Sequence, residues 1–462
     1  MFRRVLVANR GEIACRILKT CERLDLQTVA VFSDADSSAL HVTLADQAVR
    51  IGGAPVKDSY LNVPALIAAI EATGADAVHP GYGLLSENAD FASAVAQAGA
   101  TFVGPSPAAL TAFGDKITAR ALARAAGVEP PPGSDGPVDP ADAERLRAEA
   151  ERVGLPLLVK AAGGGGGIGM QIVRALADLP KAAQTCADRG RAAFADERVY
   201  LERYLESPRH IEVQVLCDAH GRGVTLGERE CSVQRRHQKI IEESPSPAGF
   251  FDGESGRARR AELFENALRV VQKAGYVGAG TVEFVADRAG QLYFLEVNAR
   301  LQVEHPVTEM RTGVDLVELQ LRVAAGEALP EELAAPDFRG HAIEVRVYAE
   351  DPAKQFIPQP GRIQRLVWPQ SQPGLRIDTG IVEGSEITAY YDPLLAKVVT
   401  HGRSRQEARE RMLRALEETE LELVGPKGPR ATNLEFLKTI LRDSRFTSGD
   451  YDTALAESLA RR

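Results

Sequence analysis

The 462-residue sequence has no paired-cysteine motif, no long apolar run and no surplus of basic charge. Its five cysteines (Cys15, Cys21, Cys186, Cys217 and Cys231) are scattered, odd in number and never spaced CxxC. That argues against a disulfide framework or a zinc site and suits reduced thiols in a cytoplasm. No stretch approaches the roughly 20 apolar residues of a membrane span. The basic start, "MFRRVLVANRGEIACRIL", reads as a strand and an amphipathic helix rather than a signal peptide. A net charge of −9 argues against a broad nucleic-acid or membrane surface. With 44% hydrophobic and 26% charged residues, the composition is neither disordered nor fibrous. A chain this long exceeds what one core supports, so two to four domains are expected.

Up to about residue 110, short apolar runs alternate with helical spacing. "RVLVA", "TVAVFS", "ADAVHP" and "TFVGP" read as strands, with helices between them in "VPALIAAIEA" and "FASAVAQAG". This alternation predicts a parallel sheet covered on both faces, with "HPGYGLLSEN" at a strand's C-terminal end, where such sheets bind ligands. The joint "GVEPPPGSDGPVDP" precedes a helix over about 141–153 and the strand "PLLVKA". "RVYLERYL", "HIEVQVLCD" and "GVTLGEREC" then read as strands, and "GAGTVEFV" with "QLYFLEVNAR" as an antiparallel hairpin. A third, β-rich region follows "LPEELAAPDFRG" and closes on an amphipathic helix bearing Ala408, Met412, Ala415, Leu416 and Thr419.

The segment "KAAGGGGGIGM" raises the first functional question. Gly164, Gly166 and Gly169 match the dinucleotide fingerprint, but the following "GMQIVRA" reads as a strand where that motif needs a helix. No Gly-Lys-Ser/Thr follows, so it is not a P-loop either. A strand, a glycine hairpin and a second strand remain. Bare backbone N–H groups can wrap an anion and a hairpin can close as a lid, with a solvent-exposed linker as the bland alternative. Lys160, entering from the strand, favours phosphate.

On "QLYFLEVNAR", alternation directs Leu292, Phe294, Glu296 and Asn298 to one face. A four-residue turn at 287–290 then sets Glu283 opposite Phe294 and diagonal to Glu296. Two carboxylates and an amide oxygen on one face suit Mg²⁺, which bridges nucleotide phosphates; a solvated acidic face is the alternative. "NARLQVEHPVTE" adds Arg300, Gln302, Glu304 and His305 without a turn pattern. "ERECSVQRRHQKIIEESP" is as dense, with Gln234, Arg235, Arg236, His237 and Lys239, and by base rate reads as a solvated charge run.

Taken together these stretches resemble a biotin carboxylase of the ATP-grasp superfamily. The likeness rests on "VLVANRGEIA", "HPGYGLLSEN", "GDK", the glycine segment, "YLESPRHIEVQV", "ERECSVQRRHQKIIEESP", "GTVEFV", "LEVNARLQVEHPVTE", "HAIEVRVYAED" and "YYDPLLAK", and so spans nearly the whole chain. It implies an α/β and α+β protein with a parallel α/β N-terminal domain (1–114), an ATP-grasp domain (115–330, lid about 132–204) and a mixed, β-rich C-terminal domain (331–450).

The resemblance implies that Gly163, Gly164, Gly165, Gly166, Gly167 and Gly169 close over ATP phosphates and that Lys116 and Lys160 contact the nucleotide. Glu202 and Leu205 would sit at the adenine, and His210, Gln234 and His237 near the ribose and phosphates. Glu283 and Glu296, with Asn298 close by, would hold Mg²⁺ or Mn²⁺. Arg300, Gln302 and Val303, with Lys239 nearby, match the bicarbonate site, Glu304 the general base and Arg346 the arginine at the biotin ureido oxygen. Tyr82 and Gly83 match positions near the biotin ring.

The implied activity is ATP- and bicarbonate-dependent carboxylation of biotin through carboxyphosphate. The sequence shows no Ala-Met-Lys-Met motif, so biotin is expected on a separate carrier, with a separate carboxyltransferase and a cytoplasmic homodimer by analogy. Two departures stand out: Ile168 where the family carries Arg or Lys, and Arg203 where lysine is common. An ATP-grasp carboxylate–amine ligase would share the lid and the acidic face but would not need "RLQVEHPVTE" or Arg346. A nucleotide-binding regulatory subunit without turnover is the reading that Ile168 motivates.

Overall fold

Apolar runs bounded by capped helices build the first layer. In the computed structural model, which describes residues 1–162, 169–236 and 238–461, Arg4–Val7 lies between Gln27–Ser33 and Ala77–His79, with Thr101–Phe102 beyond the latter. All of these neighbours are parallel, as expected. A fifth parallel strand, Gln47–Gly52, forms the other edge; half of its residues are exposed and Arg50 interrupts any apolar run. Asn62 and Asn88 cap the helices Val63–Thr73 and Ala89–Gln97 by accepting from Ala65 N and Phe91 N. At the strands' C-terminal ends, Asn9 Nδ2 donates to Pro80 O (2.7 Å) and Tyr82 O (2.8 Å). Gly81 makes that approach possible: its φ is +64°, and a Cβ there would lie 2.9 Å from Asn9 Nδ2.

An eight-stranded antiparallel sheet forms the centre. Its order is Leu292–Asn298, Gly278–Ala286, Arg209–Cys217, Gly223–Arg235, Gln238–Ser244, His341–Tyr348, Leu394–Gly402 and Leu375–Thr379. Gln238–Ser244 pairs with His341–Tyr348, so one sheet joins stretches on either side of residue 330. The segment that reads as a solvated charge run is mostly buried in it, with Glu228, Arg229, Glu230, Ser232, Gln234 and Arg235 all inside. Those charges pair with other strands or, for Glu228, with Arg260 on the helix Gly253–Lys273.

A separate three-stranded antiparallel sheet, Met170–Val173, Leu157–Ala161 and Val199–Arg203, packs with the helices Ala143–Val153 and Leu179–Phe194 around its own small core. The strand expected after the glycine run is therefore present. Gly169 turns the chain into it at φ +76°, where a Cβ would meet that of Ala161 at 2.9 Å. At the far end, Arg405–Glu418 buries Ala408, Met412, Ala415 and Leu416. The chain does not close there: a hairpin and the helices Leu434–Arg442, Ser444–Ser448 and Leu455–Ala460 follow. All five cysteines are free and buried, and among the described residues no helix is long and apolar enough to cross a membrane.

Candidate active site

Alternation along Arg209–Cys217 places His210, Glu212 and Gln214 on one face, and all three are buried. Next to it Glu283 is in register with Glu212 on one side and with Glu296 on the other. This differs from the expected pairing of Glu283 with Phe294. The hairpin loop holds five residues, 287–291, with Asp287 Oδ1 accepting from Ala289 N and Gln291 N at 2.9 Å each. Leu295 then bulges, since Phe284 pairs with Phe294 but Glu283 with Glu296. A bulge reverses the alternation, so Phe294 turns to the core beside Phe284 while Glu296 and Asn298 share the face of Glu283.

Lys239 sits where these elements converge. Its Nζ donates to Glu212 Oε2 (2.6 Å), Glu304 Oε1 (2.7 Å), Glu283 Oε1 (2.9 Å) and Gln302 Oε1 (3.4 Å). Burial opposes the ammonium charge, but Glu212, Glu283 and Glu304 hold its pKa well above the usual lysine value. Burial likewise favours neutral acids at Glu283 and Glu304. Lys239 and His210 outweigh it at Glu283, and Lys239, Arg346 and Arg229 at Glu304, so both carboxyls lie below the usual range. Glu304 is the residue preceding the helix His305–Thr312, and its Oε2 accepts from Arg346 Nη2 at 3.0 Å.

Lys116 Nζ meets Glu296 Oε2 at 2.5 Å, and Lys160 is paired with Glu202, which also takes Arg120 Nη1 at 2.5 Å. Burial lowers the Lys160 pKa despite Glu202. Leu205 is half-buried just beyond Val199–Arg203, and Arg203 is turned away to donate to Val153 O at 2.7 Å. His210 Nε2 lies 3.0 Å from Glu283 Oε2, and Gln234 Nε2 lies 2.9 Å from His210 Nδ1. Gly163 to Gly167, Ile168 and His237 lie outside the described residues.

The other side of the cluster opens into a cleft of about 420 Å³ lined by Tyr82, Gly83, Arg300, Val303, Arg346 and Tyr348. Arg346 Nε is buried there without a hydrogen-bond partner among the described residues. Arg300 is held by Glu87 Oε2 (2.9 Å) and Asn298 Oδ1 (3.0 Å), which ties "HPGYGLLSEN" to "NARLQ". Lys397 Nζ donates to Val303 O at 2.9 Å and pairs with Glu12 Oε2 at 3.2 Å, while Glu12 accepts from the Tyr82 hydroxyl.

Glu12, Glu87, Glu212, Arg229 and Lys397 belong to this network but not to the set expected from sequence. Strand alternation from His210 would have pointed to Glu212. Glu12, Glu87, Arg229 and Lys397 lie inside "VLVANRGEIA", "HPGYGLLSEN", "ERECSVQRRHQKIIEESP" and "YYDPLLAK", stretches that carry the resemblance, but no spacing within those stretches singles them out.

Glu283 and Glu296 fit a hard divalent cation. They face each other across the ladder with oxygen donors, and Asn298 Nδ2 beside them is buried without a partner among the described residues, a donor open to a phosphate oxygen. In the structure the ammonium groups of Lys239 and Lys116 lie against these acids.

The separate three-stranded sheet carrying Lys160, Lys116 at the start of a helix and the cross-strand Glu283–Glu296 pair suit an ATP-dependent enzyme of the ATP-grasp class. Residues 115–332 match the family model of the carbamoyl-phosphate synthase L chain ATP-binding domain. Residues 1–110 and 344–458 match the N-terminal and C-terminal domains of biotin carboxylase. The chain belongs to the biotin carboxylase family. It is 48% identical to the biotin carboxylase of Pseudomonas aeruginosa, covering 97% of this chain and 96% of that protein. It is 46% identical to the propionyl-CoA carboxylase alpha chain of Ruegeria pomeroyi, covering 98% of this chain and 67% of that one.

Among solved structures, the Campylobacter jejuni biotin carboxylase–β,γ-ATP complex has a TM-score of 0.93 at 40% identity, covering 100% of this chain and 99% of that one. The Hydrogenobacter thermophilus 2-oxoglutarate carboxylase biotin carboxylase domain dimer, with MgADP, ADP and bicarbonate, has a TM-score of 0.93 at 41% identity. It covers 99% of this chain and 98% of that one.

Proposed function

We propose that the chain carboxylates biotin with ATP and bicarbonate. The supporting observation is that Glu304, Lys239 and Arg346 join the Glu283/Glu296 face to the cleft holding Tyr82 and Arg300. A phosphorylated intermediate made at one end thus reaches its acceptor at the other without leaving the site.

Lys116 and Lys160 take the nucleotide phosphates, and Arg300, Gln302 and Val303 position bicarbonate. Glu283 and Glu296 would hold Mg²⁺ or Mn²⁺, which would supply positive charge against the transferring phosphoryl group. Glu304 accepts the bicarbonate proton while a bicarbonate oxygen attacks the γ-phosphorus and ADP leaves. The low pKa of Glu304 keeps it ionised and ready. When anionic substrates engage Lys239 and Arg346, their hold on Glu304 loosens and its basicity rises. Carboxyphosphate breaks down to CO₂ and phosphate, the phosphate takes the biotin N1′ proton, and N1′ attacks CO₂. Arg346 supplies positive charge to the ureido oxygen, and the burial of Glu304 and Arg346 and the near-burial of Lys239 keep water from carboxyphosphate.

Biotin is delivered on a separate carrier protein, the carboxyl group passes to a separate carboxyltransferase, and the chain acts in the cytoplasm as a homodimer, as the dimeric H. thermophilus domain suggests. The test is ATP cleavage by the purified chain with bicarbonate, with and without free biotin. Stimulation by biotin supports the reading. Bicarbonate-independent cleavage favours an ATP-grasp ligase with another acceptor, and ATP binding without turnover favours a regulatory subunit.

A further inference from the structure

Behind Arg346 lie two acids for which the reaction above has no use. Glu242, on Gln238–Ser244, and Glu344, on His341–Tyr348, are direct partners across the antiparallel ladder. Paired positions share a face, with Cβ atoms about 4.5–5.5 Å apart. Both residues are fully buried, and none of their four carboxylate oxygens accepts a well-aligned hydrogen bond from a described residue. Glu242 Oε1 nevertheless lies in close ion-pair contact with Arg346 Nη2. That same nitrogen donates to Glu304 Oε2 at 3.0 Å. One guanidinium nitrogen is thus shared between the base in front and Glu242 behind, and the guanidinium lines the cleft.

The charged and titratable groups facing the pair come from five elements. They are Lys239 on the strand of Glu242, Arg346 on that of Glu344, Glu304 before His305–Thr312, Cys231 on Gly223–Arg235 and Lys397 on Leu394–Gly402. Two carboxylates this close in a dry site do not both ionise. Unpaired buried oxygens also require a donor, and a proton on one acid is the donor at hand.

We propose that Glu344 is kept as the neutral acid while the Glu242 carboxylate is a positioning residue that anchors Arg346 from behind, at the mouth of the biotin cleft. The proposal rests on the reading of this site as one that carboxylates biotin. Burial acts in the same sense: it holds Glu344 well above the usual carboxylate range and, against the pull of Arg346, lifts Glu242 to about 7. Above that pH Glu242 is ionised and fixes the guanidinium. Below it Glu242 takes a proton, the rear anchor is lost, and biotin-dependent turnover falls.

The test uses the full-length chain with ATP, bicarbonate and free biotin across about pH 5.5 to 9. Wild type is expected to lose turnover on the acid side with a midpoint near 7. Glu242→Gln is expected to lower biotin-dependent kcat at least about tenfold at pH 8, with the KM for ATP within about twofold, and to lack the acid limb. Glu344→Gln, which exchanges a neutral acid for a neutral amide, is expected to lose less than about threefold and keep the limb. A merely structural role predicts equal damage from the two amides. That result, an undamaged Glu242→Gln, or a wild-type profile flat between pH 6 and 8 overturns the proposal, and the last does not depend on any variant folding. Wild type unable to carboxylate biotin refutes instead the reading of the site, and the proposal with it.

Discussion

Replacing Lys239 by Met removes one charge from among three acids and keeps the length of the stem. The ammonium is within 2.9 Å of an oxygen of each of Glu212, Glu283 and Glu304. Each acid retains a second partner: Arg229 for Glu212, His210 for Glu283 and Arg346 for Glu304. The loss is therefore that of one buried partner, about 3–5 kcal/mol at neutral pH, rather than of three separate pairs. For a cooperative unit of roughly 150–250 residues this corresponds to a melting temperature lower by about 6–20 °C.

The sign with pH follows from the depressed carboxyls. In wild type Glu283 and Glu304 add stability above the unfolded glutamate pKa, and it is lost as pH falls through their lower folded values. In the variant burial raises those values, so the acids take protons at higher pH and the uncompensated charge disappears sooner. The deficit should be largest near pH 8 and shrink towards pH 5.5 when thermal unfolding of both proteins is followed in parallel. A deficit that is constant, or that grows as the pH is lowered, refutes the account of Lys239 as the neutralising centre.

Three further outcomes are expected. Glu304→Gln should reduce bicarbonate-dependent ATP cleavage by about 10²–10⁴ while nucleotide affinity stays near wild type; retained turnover removes it as the base. Glu296→Gln frees Lys116 from its 2.5 Å partner and removes the charge of a proposed metal ligand. The Mg²⁺ concentration for half-maximal turnover should rise at least about tenfold, and an unchanged titration would take Glu296 out of the metal site. Ile168→Arg restores the basic residue that the family resemblance implies and should lower the apparent KM for ATP, and an equal or higher KM would show that the missing charge is not limiting.

The parallel sheet, the helix over 143–153 and the strands flanking the glycine segment were legible because each is a continuous apolar run or a clean helical period. Gln47–Gly52 was not, since an edge strand with half its residues exposed and Arg50 among them has no apolar signature. The pairing of Glu283 with Glu296 escaped because a five-residue loop and a bulge at Leu295 shift the register in ways that alternation alone cannot reveal. The charge-dense stretch 228–244 misleads for another reason: its charges are neutralised by partners far away in sequence, such as Glu212, Arg260, Glu304 and Arg405. Composition reports the charges but not their partners. Glu242 and Glu344 are hidden in the same way, since only the pairing of two strands about a hundred residues apart brings them behind Arg346.

The most direct test of the central claim is transfer of label from radiolabelled bicarbonate to free biotin by the purified chain. The site predicts acid-labile carboxybiotin that forms only when ATP and Mg²⁺ are both present and that is lost in Glu304→Gln. ATP cleavage that leaves biotin unlabelled, or labelling that does not require ATP, would contradict it.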